Sequence, residues 1–397
     1  MKAYVSNVKR GIDSIHSGFE DRCSIQLSYT RLGQAEILCE SGLIYLKRDP
    51  VPHDSHPVSC EPCRYPRNHP IMSHSPSITI LGAGGIGCAI GHALLRQGHD
   101  IRFVDANHEK VSQGNESGIE VVGHGVQQAQ FTLFDDWNPE QPGLVILCTK
   151  CYDNATVLDR IHPDSIVFPV QNGFDGALQE RCQFEGIASF VSECESDRPR
   201  TRITRPGDLH IGACGHESPL PEELRVIGES LANQSIFTLK VVSDILPFKH
   251  TKLMYNAAIS PLAAISGLDN GQLLTHAPAR KLFFGFLREN YGILKHSGTE
   301  LGTVGPFHPD TVNLILKTPL LGTLMSGPFS KSLRGTYCSM SGDIQTGRTE
   351  VENFNGHLVR LAGDFPCPLN RQSCDLINRL ARDRAMPTMD HLKEMST

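Results

Sequence analysis

The stretch Ile78-Thr-Ile-Leu-Gly-Ala-Gly-Gly-Ile-Gly-Cys-Ala-Ile-Gly-His-Ala-Leu94 combines a short apolar run, a glycine-rich turn and a helical pattern. The apolar run has the length and composition of a buried strand, and the apolar residues after the glycines recur at helical spacing. A second apolar run, Ile101-Arg-Phe-Val104, follows the helical pattern and completes a βαβ unit. This order predicts parallel strands that are covered by helices.

The glycines of this turn have the G-x-G-x-x-G spacing of a dinucleotide-binding loop. Gly82 would permit a tight turn, Gly84 would let the backbone approach a pyrophosphate, and Gly87 would let the helix pack closely on the strand. The helix N-terminus would supply unpaired N–H groups to the phosphates. A glycine triplet can also be a plain structural turn, but its place between strand and helix favours a dinucleotide site. The predicted cofactor-binding residues of the loop are Gly82, Ala83, Gly84, Gly85, Ile86 and Gly87.

Asp105 ends the second strand. A carboxylate at this position can accept hydrogen bonds from the adenosine ribose and would repel a 2′-phosphate, so Asp105 taken alone favours NAD over NADP. The alternative is that Asp105 only caps the segment that follows.

Further along the chain, strand patterns give way to helical ones. Apolar runs at Leu144–Leu147 and Ser165–Phe168 continue the alternation of strands and helices, whereas residues 249–267, 279–296 and 349–363 have helical periodicity. The predicted fold class is therefore α/β, with an N-terminal Rossmann-type doubly wound parallel sheet followed by an all-helical C-terminal domain. The predicted limits are 75–243 for the dinucleotide-binding domain and 244–397 for the helical domain that binds substrate and carries catalysis.

Residues 1–74 form a leader of uncertain role. This part mixes short apolar pieces with prolines and histidines, and residues 54–70 are typical of a linker, so we expect poor order. Cys60 and Cys63 have the spacing of half a zinc site, but no second cysteine pair follows at zinc-ribbon distance, so no metal is predicted. Met72 precedes the first convincing strand, which leaves open whether the leader belongs to the natural enzyme.

Composition narrows the class of protein. Of the 397 residues, 39% are hydrophobic and 20% are charged, as in ordinary globular proteins. The net charge of -6 provides no basic stripe for nucleic acid, so no nucleic-acid partner is expected. No apolar stretch is long enough for a membrane span. The odd count of 13 cysteines indicates reduced thiols, which together with the absence of a secretory run predicts a cytoplasmic protein.

Two segments of the helical domain carry polar residues at informative positions. Lys252 and Asn256 are four residues apart, so both emerge on one helix face and could hold one small polar ligand. Pro261 should kink this helix and leave the carbonyl of Ala257 without its usual donor. The alternative for Lys252 is a solvated lysine on an amphipathic helix.

Glu350 lies at the start of a predicted helix. Thr349-Glu-Val-Glu352 has the form of a capping box, which would place Glu350 in the first turn and ahead of a stripe formed by Val351, Phe354, Leu358 and Leu361. The helix dipole there favours an ionised carboxylate, which would help to keep Lys252 charged if the two side chains are close. Simple helix initiation is the alternative.

Five motifs together resemble the ketopantoate reductase family in their order along the chain. They are Cys148-Thr-Lys-Cys-Tyr-Asp153, Pro169-Val-Gln-Asn-Gly173, Lys252-Leu-Met-Tyr-Asn256, Ser339-Met-Ser-Gly-Asp343 and Thr349-Glu-Val-Glu-Asn-Phe-Asn-Gly356. The resemblance spans roughly Ile78 to Leu380. It implies a Rossmann domain joined to a helical domain, with a small 2-oxo acid bound in the cleft between them.

The resemblance also implies residue roles. Lys252 would donate the proton to the substrate carbonyl, and Glu350 would orient Lys252 and contact the ligands. The predicted substrate-binding residues are Asn256, Asn270, Ser339 and Ser260, and the predicted additional cofactor-binding residues are Lys150 and Asn172. The cofactor would be NADP, although the family's usual arginine after the second strand is missing and Asp105 keeps NAD open. A homodimer is compatible with these features.

Three functional hypotheses follow. The first is a 2-dehydropantoate 2-reductase of pantothenate biosynthesis, with NADPH or NADH as hydride donor. The second keeps the chemistry but changes the acid, giving a related 2-oxo acid reductase or D-2-hydroxyacid dehydrogenase; Asp105 and Ser260, which replaces an asparagine common in the family, motivate it. The third is a dinucleotide-binding sensor without catalysis, against which the joint presence of Lys252, Asn256 and Glu350 argues.

Overall fold

A computed structural model describes residues 78–395, except 216–217, 233, 319–321, 323–325, 328, 332 and 339, together with three strands of the leader. The chain divides into two compact units, Met1–Ser73 and His74–Thr397. The domain limits that the sequence predicts at residues 74 and 243 stay predictions.

The first unit contains an antiparallel sheet of three consecutive strands, β1 to β3. Their bounds are Arg22–Tyr29, Gly33–Glu40 and Leu43–Arg48. The expectation that residues 1–74 are poorly ordered stays a prediction. The sequence from Cys23 to Tyr29 alternates apolar and polar residues, which is the period of a strand. The zinc-like cysteine spacing at Cys60 and Cys63 lies outside the described residues.

The second unit begins with a sheet of five parallel strands in the order β10-β9-β4-β5-β8. Their bounds are Ile78–Leu81 for β4, Ile101–Asp105 for β5, Gln130–Leu133 for β8, Leu144–Leu147 for β9 and Ile166–Pro169 for β10. Helices α1 (Gly85–Leu95), α2 (His108–Ser117), α3 (Asn154–Leu158) and α4 (Gly176–Arg181) connect or flank them. Separate apolar clusters cover the two faces of the sheet. The predicted Rossmann-type fold is confirmed.

The strand order changes direction at β4, because β5 lies on one side of it and β9 on the other. Ligands of doubly wound sheets bind at such a switch point, outside the carboxyl ends of the strands. The glycine-rich turn follows β4 here, and the segment beginning at Cys148 follows β9. Two segments that are distant in sequence therefore meet at one edge of the sheet.

Smaller sheets complete this half of the unit. One has the order β12-β13-β6-β7 and the other the order β11-β14-β15. Their bounds are Ile119–Val121 (β6), Gly125–Gln127 (β7), Phe184–Ala188 (β11), Val191–Cys194 (β12), Arg200–Arg205 (β13), Asp208–Ala213 (β14) and Thr238–Asp244 (β15), with helix α5 at Glu222–Ala232. Val170 and Gly186 form a parallel bridge, which extends the five-stranded sheet toward β11.

The rest of the unit is helical, as the sequence predicts. The helices are Leu246–Ser266 (α6), Asn270–Thr275 (α7), Ala277–His296 (α8), Pro309–Leu316 (α9), Asp343–Thr346 (α10), Val351–Ala362 (α11), Pro368–Arg382 (α12) and His391–Glu394 (α13). They share one apolar core. None of the helices within the described ranges is long and apolar enough to cross a membrane.

Pro261 lies inside α6 and frees a carbonyl at the predicted place. The side-chain amide of Asn355 donates to the oxygen of Ala257 at 2.8 Å. The same Asn355 nitrogen donates to the side-chain oxygen of Asn370 at 2.9 Å, and the side-chain nitrogen of Asn370 donates to the side-chain oxygen of Asn290. A buried asparagine chain thus satisfies the carbonyl that the proline leaves open and ties α6 to α8, α11 and α12.

Candidate functional site

One cavity of about 1340 Å³ lies between the carboxyl edge of the parallel sheet and the helical region. Its walls contain most of the residues that the sequence predicts for the site. The predicted residues that line it are Gly82, Gly84, Gly85, Ile86, Asp105, Lys150, Asn172, Lys252, Asn256, Ser260, Asn270 and Glu350. Ala83 and Gly87 do not line it, because both residues are buried. Ser339 lies outside the described residues.

The three spaced glycines occupy three different environments. Gly82 has a φ of +95°, and a Cβ there would lie 3.0 Å from the carbonyl of Cys148. A Cβ on Gly87 would lie 2.1 Å from the oxygen of Gly82, so only glycine allows this helix to approach the strand so closely. A Cβ on Gly84 would meet nothing within 4 Å. Gly84 therefore faces open cavity, which is the geometry that a bound pyrophosphate needs.

Asp105 contacts the glycine-rich loop and also lines the cavity. Its carboxylate accepts the backbone N–H of Ala83 at 2.8 Å and that of Asn107 at 2.9 Å. Asn107, rather than Asp105, caps helix α2 through its side-chain oxygen. Asp105 thus does hold the start of the segment that follows, through Asn107, and its role toward a cofactor stays a prediction. The carboxylate ties the glycine-rich loop to the end of β5 and lies in the cavity wall.

Lys110 is a cavity residue that the sequence analysis missed. It lies in the first turn of α2, is 8% exposed and lines the cavity together with Asp105. Its ammonium is 3.8 Å from the thiol of Cys194. A lysine five positions after Asp105 could have indicated this position, because the first turn of α2 lies close to the end of strand β5. A cation is thus present at this end of the cavity although the expected arginine is missing.

Glu350 pairs with Lys150 and not with Lys252. Its carboxylate is 3.2 Å from the ammonium of Lys150 and also accepts the backbone N–H of Cys151 at 3.2 Å. Asp343 lies 2.8 Å from the same ammonium. Burial alone would lower the pKa of Lys150, but the carboxylates of Glu350 and Asp343 outweigh it and raise that pKa. The structure joins Glu350 to Lys150, and the implied role of Glu350 in orienting Lys252 stays a prediction.

The start of helix α11 also differs from the predicted capping box. Glu350 is the N-cap residue and makes no side-chain cap, while Thr349 accepts the N–H of Val351 at 3.1 Å. The carboxylate of Glu350 is not available for capping because Lys150 and Cys151 hold it. Of the predicted apolar stripe, Val351, Phe354 and Leu358 are fully buried, and Leu361 is half-buried.

Lys252 and Arg205 form a second, different cationic pair in the cavity wall. Burial, and after it the positive charge of Arg205, lowers the pKa of Lys252 to about 8. No hydrogen bond or ion pair joins either side chain to another residue in the part of the chain that the structure describes. Two half-buried cations without a carboxylate partner in the described residues favour the binding of an anion. Arg205 was missed because it ends a strand that has no recognisable motif.

The neighbouring amides leave hydrogen-bonding capacity toward the cavity. Asn256 follows Lys252 by one helical turn, as predicted, and Ser260 follows Asn256 by another. Asn270 donates to the hydroxyl of Thr336 at 3.1 Å, while its buried side-chain oxygen has no partner in the described part of the chain. An unsatisfied buried acceptor in a cavity wall is a place for a ligand hydroxyl.

The cysteines that flank Lys150 are inert. Burial raises the pKa of Cys148 to about 12, and burial followed by the charge of Glu350 raises the pKa of Cys151 still further. Neither forms a thiolate near neutral pH. The described residues contain no group of three metal-binding side chains.

Comparison with known protein families assigns the chain to one of them. The family model "Ketopantoate reductase PanE/ApbA" matches residues 78–215, and the family model "Ketopantoate reductase PanE/ApbA C terminal" matches residues 244–381. The chain belongs to the ketopantoate reductase family. This family member is an oxidoreductase, as the sequence predicts.

Relatives and solved structures agree with this assignment. The chain is 23% identical over 309 residues to a 2-dehydropantoate 2-reductase of Archaeoglobus fulgidus, covering 76% of this chain and 96% of the relative. A PanE/ApbA family ketopantoate reductase from Ralstonia eutropha superposes with a TM-score of 0.62 at 20% identity, over 78% of this chain and 99% of that one. D-mandelate dehydrogenase with NADH and anilino(oxo)acetate gives 0.60 at 19% identity, over 80% and 99%. These similarities support the two-part fold.

Proposed function

We propose that this family member is a 2-dehydropantoate 2-reductase that reduces the ketone of ketopantoate to pantoate at the expense of NADPH. The observation that supports the proposal most directly is the Lys252–Arg205 pair, which lines the same cavity as the glycine-rich loop. A site that reduces an acid must hold a carboxylate and also assist the carbonyl oxygen. Two cations without carboxylate partners in the described chain suit that pair of tasks.

The bound dinucleotide would supply the hydride. The chain's part is to hold it, with the open approach at Gly84 and the N-terminus of α1 receiving the phosphates. Lys110 would neutralise a 2′-phosphate at the adenosine end, and Asn172 and Lys150 would lie beside the cofactor at the ends of the neighbouring strands.

Lys252 would give its proton to the substrate oxygen, where negative charge develops during reduction. Arg205 would hold the substrate carboxylate, since a guanidinium offers two parallel donors to a carboxylate. Asn256, Ser260 and Asn270 would bind the hydroxyl group and the remaining polar atoms of the substrate, and Ser339 keeps its predicted role. Glu350 would act as a positioning residue for Lys150 and for the chain at Cys151.

Absorbance loss of the reduced nicotinamide tests this function directly. The purified protein is mixed with ketopantoate and with NADPH or NADH in separate assays, and the product is identified as pantoate. Turnover of ketopantoate supports the proposal. Binding of the cofactor without reduction of any 2-oxo acid would instead favour the dinucleotide-binding sensor.

The pH dependence of reduction should report Lys252. The ammonium form is the proton donor, and burial together with Arg205 lowers the pKa of Lys252 to about 8. We expect kcat/KM for reduction to be level below this pH and to fall about tenfold for each further pH unit above it. The reverse oxidation needs the free amine, so it should rise over the same range.

The Arg205→Gln variant tests whether Arg205 lowers the pKa of Lys252. Loss of the neighbouring positive charge should move the break in the profile to higher pH, in addition to raising KM for the acid. Arg202→Gln is the control, because Arg202 lies on the same strand but is exposed and pairs with Glu193. A wild-type profile that stays level to pH 10 would show that Lys252 is not the donor.

Cofactor preference should follow two charges at the adenosine end. Lys110→Gln should weaken NADPH binding about tenfold or more and leave NADH binding within about threefold, since only NADPH carries the 2′-phosphate. Asp105→Asn should strengthen NADPH binding relative to NADH binding, because it removes a negative charge that repels the 2′-phosphate. Fluorescence titration of both cofactors measures the dissociation constants without turnover. Equal losses for both cofactors in Lys110→Gln would refute the assignment of Lys110 to the phosphate.

The cytoplasmic location and a homodimer stay predictions.

A further inference from the structure

Two cysteines from distant parts of the chain meet at the glycine-rich loop. Cys88 lies in the first turn of helix α1, and Cys194 ends strand β12. Their Sγ atoms lie 3.3 Å and 3.5 Å from one and the same carbonyl oxygen, that of Ala83. The helix packs tightly on the strand here, since a Cβ on Gly85 would lie 3.0 Å from the backbone oxygen of Ser192. The two thiols are therefore close neighbours in the folded chain.

The two thiols differ in access to the cavity and in charge. Cys194 lines the cavity and is partly exposed, whereas Cys88 is fully buried. The ammonium of Lys110 lies 3.8 Å from the Sγ of Cys194. Hydrogen bonding from Cys88 and the charge of Lys110 lower the pKa of Cys194 although burial opposes them. Hydrogen bonding to Cys194 and burial raise the pKa of Cys88. Reactive cysteines are thiolates in partly exposed, positively charged surroundings, which describes Cys194.

We propose that Cys194 and Cys88 are a modification site, at which hydrogen peroxide produces a reversible disulfide. The thiolate of Cys194 attacks one peroxide oxygen, the O–O bond breaks, and a sulfenic acid and hydroxide are formed. The sulfur of Cys88 then attacks the sulfenic sulfur. The S–S bond forms, and the hydroxyl group leaves as water with the proton of Cys88. With the proton that Cys194 released on ionising, two thiols and one peroxide give one disulfide and two water molecules.

The disulfide would remove hydrogen bonds from the glycine-rich loop. Ala83 is fully buried, and no backbone N–H in the described part of the chain bonds its carbonyl oxygen, which instead accepts from the two thiols. The sulfurs of a disulfide carry no hydrogen, and a buried acceptor that loses its donors is costly. Because Ala83 lies between Gly82 and Gly84, the loop should shift and hold a dinucleotide less well.

Peptide mapping by mass spectrometry tests for the disulfide. The reduced full-length protein is treated with hydrogen peroxide, its remaining thiols are alkylated, and its tryptic peptides are compared with and without dithiothreitol. We expect two peptides joined through Cys88 and Cys194. Cys182 and Cys214 are an internal control, because their charges interact but burial raises the pKa of both thiols. They should remain free and be alkylated.

Three serine variants separate the two chemical steps. Cys194→Ser should prevent oxidation at this site, so Cys88 stays a free thiol. Cys88→Ser should stop the reaction at the sulfenic acid of Cys194, which a dimedone probe labels. Cys148→Ser is the matched control, because Cys148 lines the same cavity while burial raises its pKa to about 12. This variant should form the disulfide as the wild type does.

Cofactor affinity gives an independent readout. After removal of the peroxide, fluorescence titration measures the dissociation constant of NADPH for the reduced, the oxidised and the re-reduced protein. We expect oxidation to raise this constant at least about fivefold through the lost loop hydrogen bonds, and dithiothreitol to restore it. The dissociation constant for Cys194→Ser should not respond to peroxide. Saturating NADP should slow disulfide formation, because a bound dinucleotide covers the cavity wall at Cys194.

The outcomes keep this proposal apart from the proposed function. A disulfide between Cys88 and Cys194 that weakens NADPH binding reversibly would establish it. Free thiols at both positions after peroxide treatment, or a wild-type protein that stops at the sulfenic acid as Cys88→Ser does, would overturn it. A disulfide that leaves NADPH binding unchanged would refute its effect on the loop. None of these measurements involves ketopantoate, so failure of the oxidation test leaves the proposed reduction standing.

Discussion

Lys252→Ala should lower kcat for ketopantoate reduction by about 10²–10⁴-fold, which is the usual contribution of a positioned proton donor. The loss should appear in kcat and kcat/KM together, because the donated proton matters only as charge develops on the substrate oxygen. NADPH binding should remain within about threefold, since Lys252 belongs to the helical side of the cavity. Stopped-flow single turnovers and fluorescence titration measure the two quantities separately.

Lys240→Ala is the matched control for this substitution. Lys240 is half exposed, pairs with Asp208 at 2.7 Å and does not itself line the cavity. Its removal should leave turnover unchanged. If Lys252→Ala kept more than about a third of the wild-type kcat, Lys252 would be a binding residue at most.

Lys249→Met should cause the largest loss of stability. Lys249 and Glu185 form an ion pair in which both side chains are 2% exposed, and the Lys249 ammonium also lies 4.6 Å from the ring centre of Phe174. Removing one partner leaves a buried, uncompensated carboxylate, which costs roughly 3–5 kcal/mol. For a domain of this size we expect the thermal midpoint to fall by on the order of ten degrees. Differential scanning calorimetry measures it.

A double variant separates the ion pair from simple loss of packing. Adding Glu185→Leu to Lys249→Met removes the unpaired charge and should recover more than half of the lost stability. Lys240→Met breaks an exposed pair with Asp208 instead and should cost less than about 1 kcal/mol. Equal costs for the buried and the exposed pair would contradict this account.

The position of this ion pair also bears on the site. Lys249 lies on α6 three residues before Lys252, and Glu185 belongs to β11 of the neighbouring sheet. The pair therefore fixes the helix that carries Lys252 to the sheet half of the unit. Nothing in the sequence around Glu185 indicates this role, because the two residues are 64 positions apart.

Local features were predictable from the sequence alone. The strands around the glycine-rich turn, the different needs of Gly82, Gly84 and Gly87, and the carbonyl that Pro261 frees all depend on neighbours within one turn or one strand. Periodicity and hydrogen bonding over a few residues determine such features. The five ordered motifs also indicated the family, and most predicted site residues do line one cavity.

The partners of the charged residues required the tertiary structure. Lys150 meets Asp343 across 193 positions of the chain, and Glu350 meets Lys150 instead of Lys252. The strand that ends in Arg205 and the helix that starts near Asn107 decide which cations reach the cavity. Charges act through space, so the sequence determined which charged side chains exist, and only the packing of sheet against helices decided which of them meet.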